Sequence, residues 1–465
     1  MTHFDTVVLG GGPGGYVAAI RCAQLGMRTA IIEKEAWGGV CLNMGSVPVK
    51  ALLRNAEIAD LLTHEKQAYG IQGTARCDYK VAFARSRTVA DHMVKGVRFS
   101  LKKNKVTEYV GKGTFRGPRS LAVSLDHGVV ESLTFDSCII ATGATPKVLA
   151  EVDKGPRVVT YQDFLRSQTL PRSLVICGSG PVGTELAYIA ASYGVAVTIV
   201  EYLDRLLPDE DPDISAEVTA AYRDQGIGVL TSHAVKRITQ DGGSARVYLT
   251  DTTKRSETLL EAEQAVMCVG FRPATHGYGL ETSGVALTTS GAIGVDSAMR
   301  TNVPGIYAVG DVTDKLMLSQ VAEAQAMIAA ETIAGKTTDP IDYAMVPRAI
   351  HCQPQVASFG LTEAQARQKG HRIEVSKYPF SANARAWGIG RGRGFVKLVV
   401  DTTHGEILGV HMVGDCVTEL LGEFTLAQKW DLTAGELARN LHTRPSLSEA
   451  ISEVAAGAFG PTINI

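Results

Sequence analysis

The feature that most constrains this 465-residue chain is a pattern that occurs twice. Residues 5–35 read DTVVLGGGPGGYVAAIRCAQLGMRTAIIEKE, and residues 172–204 read RSLVICGSGPVGTELAYIAASYGVAVTIVEYLD. In each, a short apolar run enters a G-x-G-x-x-G loop and continues into an alanine-rich helical stretch. It emerges in a second apolar run that ends on an acid, Glu33 or Glu201, at the same offset from the third glycine. A strand–turn–helix–strand unit folded around a pyrophosphate accounts for every position. Gly10 and Gly178 permit the turn, Gly12 and Gly180 let a phosphate approach the backbone, and Gly15 and Gly183 let the helix lie against the strand. The free N–H groups at the helix N-terminus attract the phosphate, and the terminal acid accepts hydrogen bonds from a ribose diol. Two such units predict an α/β chain that binds two dinucleotides. At the second unit the carboxylate of Glu201 predicts NAD(H) rather than NADP(H), because it repels a 2′-phosphate; Arg205 argues mildly the other way.

The rest of the composition narrows the class further. A formal net charge of −2 gives no electrostatic footprint for nucleic acid or an anionic membrane. No apolar run is long enough to span a bilayer, and no secretory leader pattern precedes the first strand, so cytoplasmic residence is expected. The eight cysteines (22, 41, 77, 138, 177, 268, 352 and 416) form no CxxC pair or metal-like cluster. Neither a metal site nor a disulfide framework is therefore predicted.

Two further segments link the units. FDSCIIATGATP (135–146) reads as a strand ending at Thr142-Gly143, and NVPGIYAVGDVTD (302–314) as a strand ending in Gly310-Asp311. An aspartate in that position suits a flavin ribityl chain, or alternatively caps the following helix. Beyond Pro347, VASFGLTEAQARQKG and GFVKLVVDTTHGEILGVHMVG read as alternating antiparallel strands, with amphipathic helices around 417–429 and 433–440.

Together these motifs, with GGVCLNMGSVPVKALL, VGFRP and HTRPSLSEA, resemble the pyridine nucleotide-disulfide oxidoreductases, most closely their lipoamide dehydrogenase branch. The resemblance implies two Rossmann-like dinucleotide-binding domains plus a C-terminal α+β dimerisation domain. The boundaries expected are 1–147 for FAD, 148–272 for NAD, 273–346 for a central segment returning to the FAD side, and 347–465 for the interface. It implies a homodimer in which the partner's C-terminal segment completes each active site, acting on a small-molecule substrate. Carried over by residue, Gly10, Gly12, Gly15, Glu33, Lys50, Gly113, Thr142, Gly143, Asp311 and Ser319 would hold FAD. Gly178, Gly180, Gly183, Glu201, Val235 and Gly270 would hold NAD(H), and Lys50 with Glu185 resembles the ion pair beside the flavin.

The chain departs from the resemblance at two independent points. The branch has two cysteines in its redox loop; here Cys41 keeps the substrate-exchange position but Ser46 stands where the flavin-side cysteine belongs, and a hydroxyl cannot join a disulfide. The branch ends in H-x-H-P-T-x-x-E, whose second histidine is the general base oriented by the glutamate. Here Arg444 occupies the base position ahead of Glu449, and arginine keeps its proton. His442, two residues earlier, is a weaker substitute base. Val49 and Gln320 are lesser differences.

The leading expectation is accordingly an FAD-dependent, NAD(H)-linked oxidoreductase that passes hydride through the flavin to or from a small non-disulfide substrate. Arg444 offers that substrate a partner for an anionic group. A transhydrogenase or diaphorase-like shuttle is one alternative, and a non-catalytic subunit that docks on a larger complex is another. Dithiol chemistry of the dihydrolipoyl dehydrogenase type ranks last on these residues.

Overall fold

The computed structural model describes residues 1–125 and 128–464. The first glycine-rich unit folds as strand Thr2–Leu9, helix α1 (Pro13–Gln24) and strand Thr29–Glu33, the two strands parallel. Strand Val130–Ile140 lies parallel on the other side of Thr2–Leu9, and Ile306–Ala308 adds outside it. Thr107–Gly117 pairs parallel with Thr29–Glu33, then turns through Ser120–Leu125 into an antiparallel meander. A strand from the middle of the chain thus joins the sheet that the N-terminus begins, and carries Asp311 to the end of that sheet.

Three α-helices follow the first unit, with a π-helical turn (Leu61–Glu65) after the second. The single-turn helix α2 (Gly39–Asn43) carries Cys41, α3 (Ser46–Asp60) carries Lys50, and α4 (Tyr79–Lys103) packs across both. The second unit builds a wholly parallel five-stranded sheet in the order 228–230, 196–200, 173–177, 264–267, 158–160. Its helix Pro181–Ser192 packs against α3, with nearly every side chain buried.

The C-terminal region is a five-stranded antiparallel sheet with helices Val417–Lys429, Ala434–Arg439 and Glu449–Ala456. The expected alternation holds only in part. Glu363–Gln368 is a helix, started by a capping box between Thr362 and Gln365. Strands Phe395–Asp401 and Ile407–Gly414 are buried at every residue, so both faces are covered and no polar face remains. Lys397 is tolerated there because Asp211 and Asp213 of the second unit meet its ammonium at 3.0 and 3.2 Å. The α/β architecture, with one mixed and one wholly parallel nucleotide-type sheet and a C-terminal α+β unit, agrees with the fold class expected. No helix among the described residues is long and apolar enough to cross a membrane.

Candidate active site

The glycines of both loops answer to contacts. A Cβ on Gly15 would fall 1.8 Å from the Gly10 carbonyl oxygen, and one on Gly183 would fall 2.0 Å from that of Gly178. Neither helix could pack on its strand with any other residue. In the first loop, the carboxylate of Glu33 accepts hydrogen bonds from the N–H groups of Gly11 (2.6 Å), Glu35 (2.7 Å) and Ala36 (3.1 Å). In the second, Glu201 accepts from Ser179 through N–H (2.9 Å) and hydroxyl (2.7 Å), and from the Leu203 N–H (2.9 Å). Each acid is held in place by its own loop. Arg205 turns to Asp204 and the Pro208 carbonyl, at 3.3 and 3.2 Å.

A cavity of about 410 Å³ opens over the first sheet. Of the residues expected to hold FAD, it is lined by Gly10, Gly12, Glu33, Lys50, Gly113, Thr142, Gly143, Asp311 and Ser319. Cys41, Ser46 and Glu185 share its wall. Gly15 lies beneath the loop instead. Gly178, Gly180, Gly183, Glu201, Val235 and Gly270 belong to the second unit, outside this cavity. Arg444 and Glu449 of the same chain are not part of its lining either.

Two observations test whether a flavin dinucleotide suits these residues. The Asp311 carboxylate is half-buried on the cavity wall and accepts no side-chain hydrogen bond from the described residues; desolvation pushes its pKa up to about 6. It does not cap the short helix Gly310–Thr313 that contains it. A carboxylate on the cavity wall with no protein donor among the described residues is free to accept hydrogen bonds from a ligand's hydroxyl groups. At Gly113, which lines the cavity, a Cβ would come within 2.6 Å of the Leu9 Cδ1, so a side chain there would have to displace the Leu9 tip. The residues fit the group.

Lys50 and Glu185 meet where α3 faces helix Pro181–Ser192. The ammonium lies 2.7 and 3.0 Å from the two carboxylate oxygens, and the His351 N–H donates to Oε1 at 2.8 Å. Cys41 is half-buried. Ser46 is the first residue of α3, after Gly45, and its hydroxyl makes no side-chain hydrogen bond among the described residues.

At the C-terminus Arg444 pairs with Glu449 (Nε–Oε2 2.5 Å), and the Ser446 N–H donates to the other oxygen at 2.8 Å. His442 sits 3.1 Å from both oxygens of Glu423, with its side chain only 6% exposed. His442 is therefore committed to an internal carboxylate.

Sequence reasoning missed Tyr16, His351 and Arg87. Tyr16 directly follows the third glycine, and its hydroxyl donates to Glu323 at 3.4 Å. Burial, Glu323 and Cys41 raise its pKa well above the usual phenol range. Its position one residue after the fingerprint was the available signal. His351 and Arg87 reach the site from distant elements, and no local pattern marks them.

The fold and this cavity define a two-dinucleotide flavoprotein, and family comparison agrees. Residues 4–326 match the pyridine nucleotide-disulphide oxidoreductase model, and residues 346–455 match that family's dimerisation domain. The chain belongs to the pyridine nucleotide-disulphide oxidoreductase family, flavin-dependent enzymes that use FAD and NAD(H). It is 53% identical to dihydrolipoyl dehydrogenase of Mycobacterium tuberculosis over the whole of both chains. With the proteins of that name from Corynebacterium glutamicum (99% of both chains) and Bacillus subtilis (100% of this chain, 99% of the relative), identity is 48% and 39%. Among solved structures, LpdA from Mycobacterium tuberculosis superposes with a TM-score of 0.89 at 28% identity, covering 98% of this chain and 99% of that one. The HOCl-induced flavoprotein disulfide reductase RclA from Escherichia coli gives 0.87 at 27%, covering 97% and 99%.

Proposed function

We propose that this protein is an FAD-dependent, NAD(H)-linked oxidoreductase that acts through the flavin on a small, non-disulfide substrate. It does so as a homodimer in which each C-terminal segment completes the partner's site. The observation that carries this reading is Ser46. It occupies the first position of α3 on the cavity wall, where a disulfide with Cys41 would need sulfur. Bound FAD and NAD(H) supply hydride transfer between nicotinamide and flavin. The chain's residues hold and shape the site around that chemistry. Glu33 and Glu201 present carboxylate oxygens to ribose hydroxyls, Asp311 accepts from the ribityl side, and Lys50 keeps a fixed positive charge at the wall. Arg444 is a fixed cation on Glu449, able to hold a carboxylate or phosphate in the paired subunit's cavity. Purified protein tests this reading: it should be yellow, and anaerobic NADH should bleach it. Colourless protein that NADH leaves unchanged would overturn it.

A second reading, dihydrolipoyl dehydrogenase, is favoured by the full-length relatives of that name. It requires dithiol chemistry to proceed with Cys41 alone and with no histidine at position 444. The same protein given dihydrolipoamide separates the two readings.

A further inference from the structure

The wall carrying Cys41 is a short turn whose entry is tied to the first glycine loop, the Gly38 N–H donating to the Gly11 carbonyl at 2.9 Å. Asn43 ties the turn internally, its Nδ2 donating to the Trp37 carbonyl (2.9 Å) and the Gly39 carbonyl (2.8 Å). Gly38 and Gly39, which enter it, have φ of +86° and +59°. Side chains at either would be strained, and a Cβ would fall 2.4 Å from Leu42 or 2.7 Å from the Gly12 Cα, so the entry to the turn is set by glycine.

The far end of the turn is tied from outside by Arg87, in the first half of α4. Its Nη1 donates to the Asn43 carbonyl at 2.6 Å, and its guanidinium lies 5.4 Å from the Phe83 ring centre. Asn43 is the last residue of α2, so the cation sits at the carbonyl end of the turn, where the local dipole favours it. Nε makes only a long contact with the Ser86 hydroxyl (3.4 Å), and Nη2 is buried with no acceptor among the described residues. Tyr79, two turns earlier on α4, also has a buried hydroxyl without a partner among the described residues. A guanidinium with an unsatisfied buried N–H is a poor choice for stability alone. Its one short bond goes to the Cys41 turn.

We infer that Arg87 is a positioning residue of the active site, fixing the Cys41–Ser46 wall against the flavin cavity from behind. The inference rests on the proposed flavin site but is tested without turnover. Holoenzyme of wild type, Arg87→Met and Arg87→Lys is alkylated with iodoacetamide. The rates at Cys41 and at exposed Cys416 are read by peptide mass, with the visible flavin spectrum alongside. Arg87→Met should alkylate Cys41 roughly tenfold faster, the effect of losing one charged hydrogen bond, with a shifted flavin maximum and an unchanged Cys416 rate. Arg87→Lys should fall between, at least about threefold above wild type, since its single donor group reaches less well. A wild-type Cys41 rate and flavin spectrum in Arg87→Met overturns the inference. So does an equal rise at Cys416, which marks general loosening. Where Arg87→Met does not fold, Arg87→Lys decides alone: a wild-type Cys41 rate overturns the inference. If NADH fails to bleach wild-type flavin while these rates change as stated, the functional reading falls and the positioning role stands.

Discussion

Lys50 of α3 and Glu185 of helix Pro181–Ser192 form a two-oxygen ion pair across the junction of the two nucleotide units, with the Lys50 side chain 35% exposed and that of Glu185 only 7%. The pair does two jobs: it docks one unit on the other and fixes a charge on the wall of the cavity.

Removing the buried partner leaves Lys50 and the His351 N–H without their acceptor. Glu185→Ala should destabilise the holoenzyme by about 2–3 kcal/mol, below the roughly 3–5 kcal/mol of a fully buried pair because Lys50 is partly solvated. Bleaching by NADH should slow at least about tenfold, from loss of electrostatic preorganisation. Thermal melts and anaerobic stopped-flow read the two effects separately. Unchanged bleaching would reduce the pair to a structural role.

Asp311 makes apoprotein stability depend on pH. Its folded pKa of about 6 exceeds the roughly 3.9 of an unfolded chain. Between those values the folded state binds the proton more tightly. Stability therefore falls as pH rises through the window, and the penalty levels off above it at an order of 2–3 kcal/mol. Asp311→Asn should remove the penalty: the variant apoprotein melts above wild type at neutral pH and converges with it near pH 4. The same variant should retain FAD poorly. A melting difference that stays constant with pH would contradict the assignment.

The C-terminal pair is asymmetric. The Arg444 side chain is 61% exposed and Glu449 only 11%, and Glu449 also accepts from the Ser446 N–H. Glu449→Ala should cost about 1 kcal/mol by leaving that part-buried donor without its acceptor, while Arg444→Ala should cost less, its side chain lying mostly in solvent. Equal losses in denaturant melts would show that the ion pair, rather than the loop bond, holds the segment.

On the proposed reading, supplying a thiol at position 46 and an imidazole at position 444 should raise dithiol chemistry in steps. Ser46→Cys should lower the count of titratable thiols after oxidation by allowing a bond to Cys41. Adding Arg444→His should raise dihydrolipoamide-dependent NAD⁺ reduction by about 10²-fold or more over Ser46→Cys alone, the usual contribution of a general base. The second step depends on Glu449, already aimed at position 444, to orient the imidazole.

The two glycine units were legible because backbone atoms within about 2 Å of the missing Cβ positions leave no substitute at Gly15 and Gly183. The acids were legible for a related reason, since each is bonded by its own loop. The last third was harder. A strand buried on both faces loses the alternation that marks a surface strand, as in Phe395–Asp401, and Glu363–Gln368 is helical through a capping box inside a segment of strand-like pattern. Arg87, His351 and Asp311 meet the Cys41 and Lys50 region only through tertiary folding. Asp311 had a local signal in its strand-ending Gly-Asp; Arg87 and His351 had none.

Anaerobic titration of the purified holoenzyme with dihydrolipoamide tests the central claim most directly. On the proposed reading, in which Ser46 stands for a second cysteine and Arg444 for a base, dihydrolipoamide should leave the flavin spectrum unchanged and support no rapid NAD⁺ reduction, while NADH bleaches the same sample. Appearance of a long-wavelength thiolate–flavin absorbance with dihydrolipoamide, together with rapid NAD⁺ reduction, would contradict the account and establish the dihydrolipoyl dehydrogenase reading.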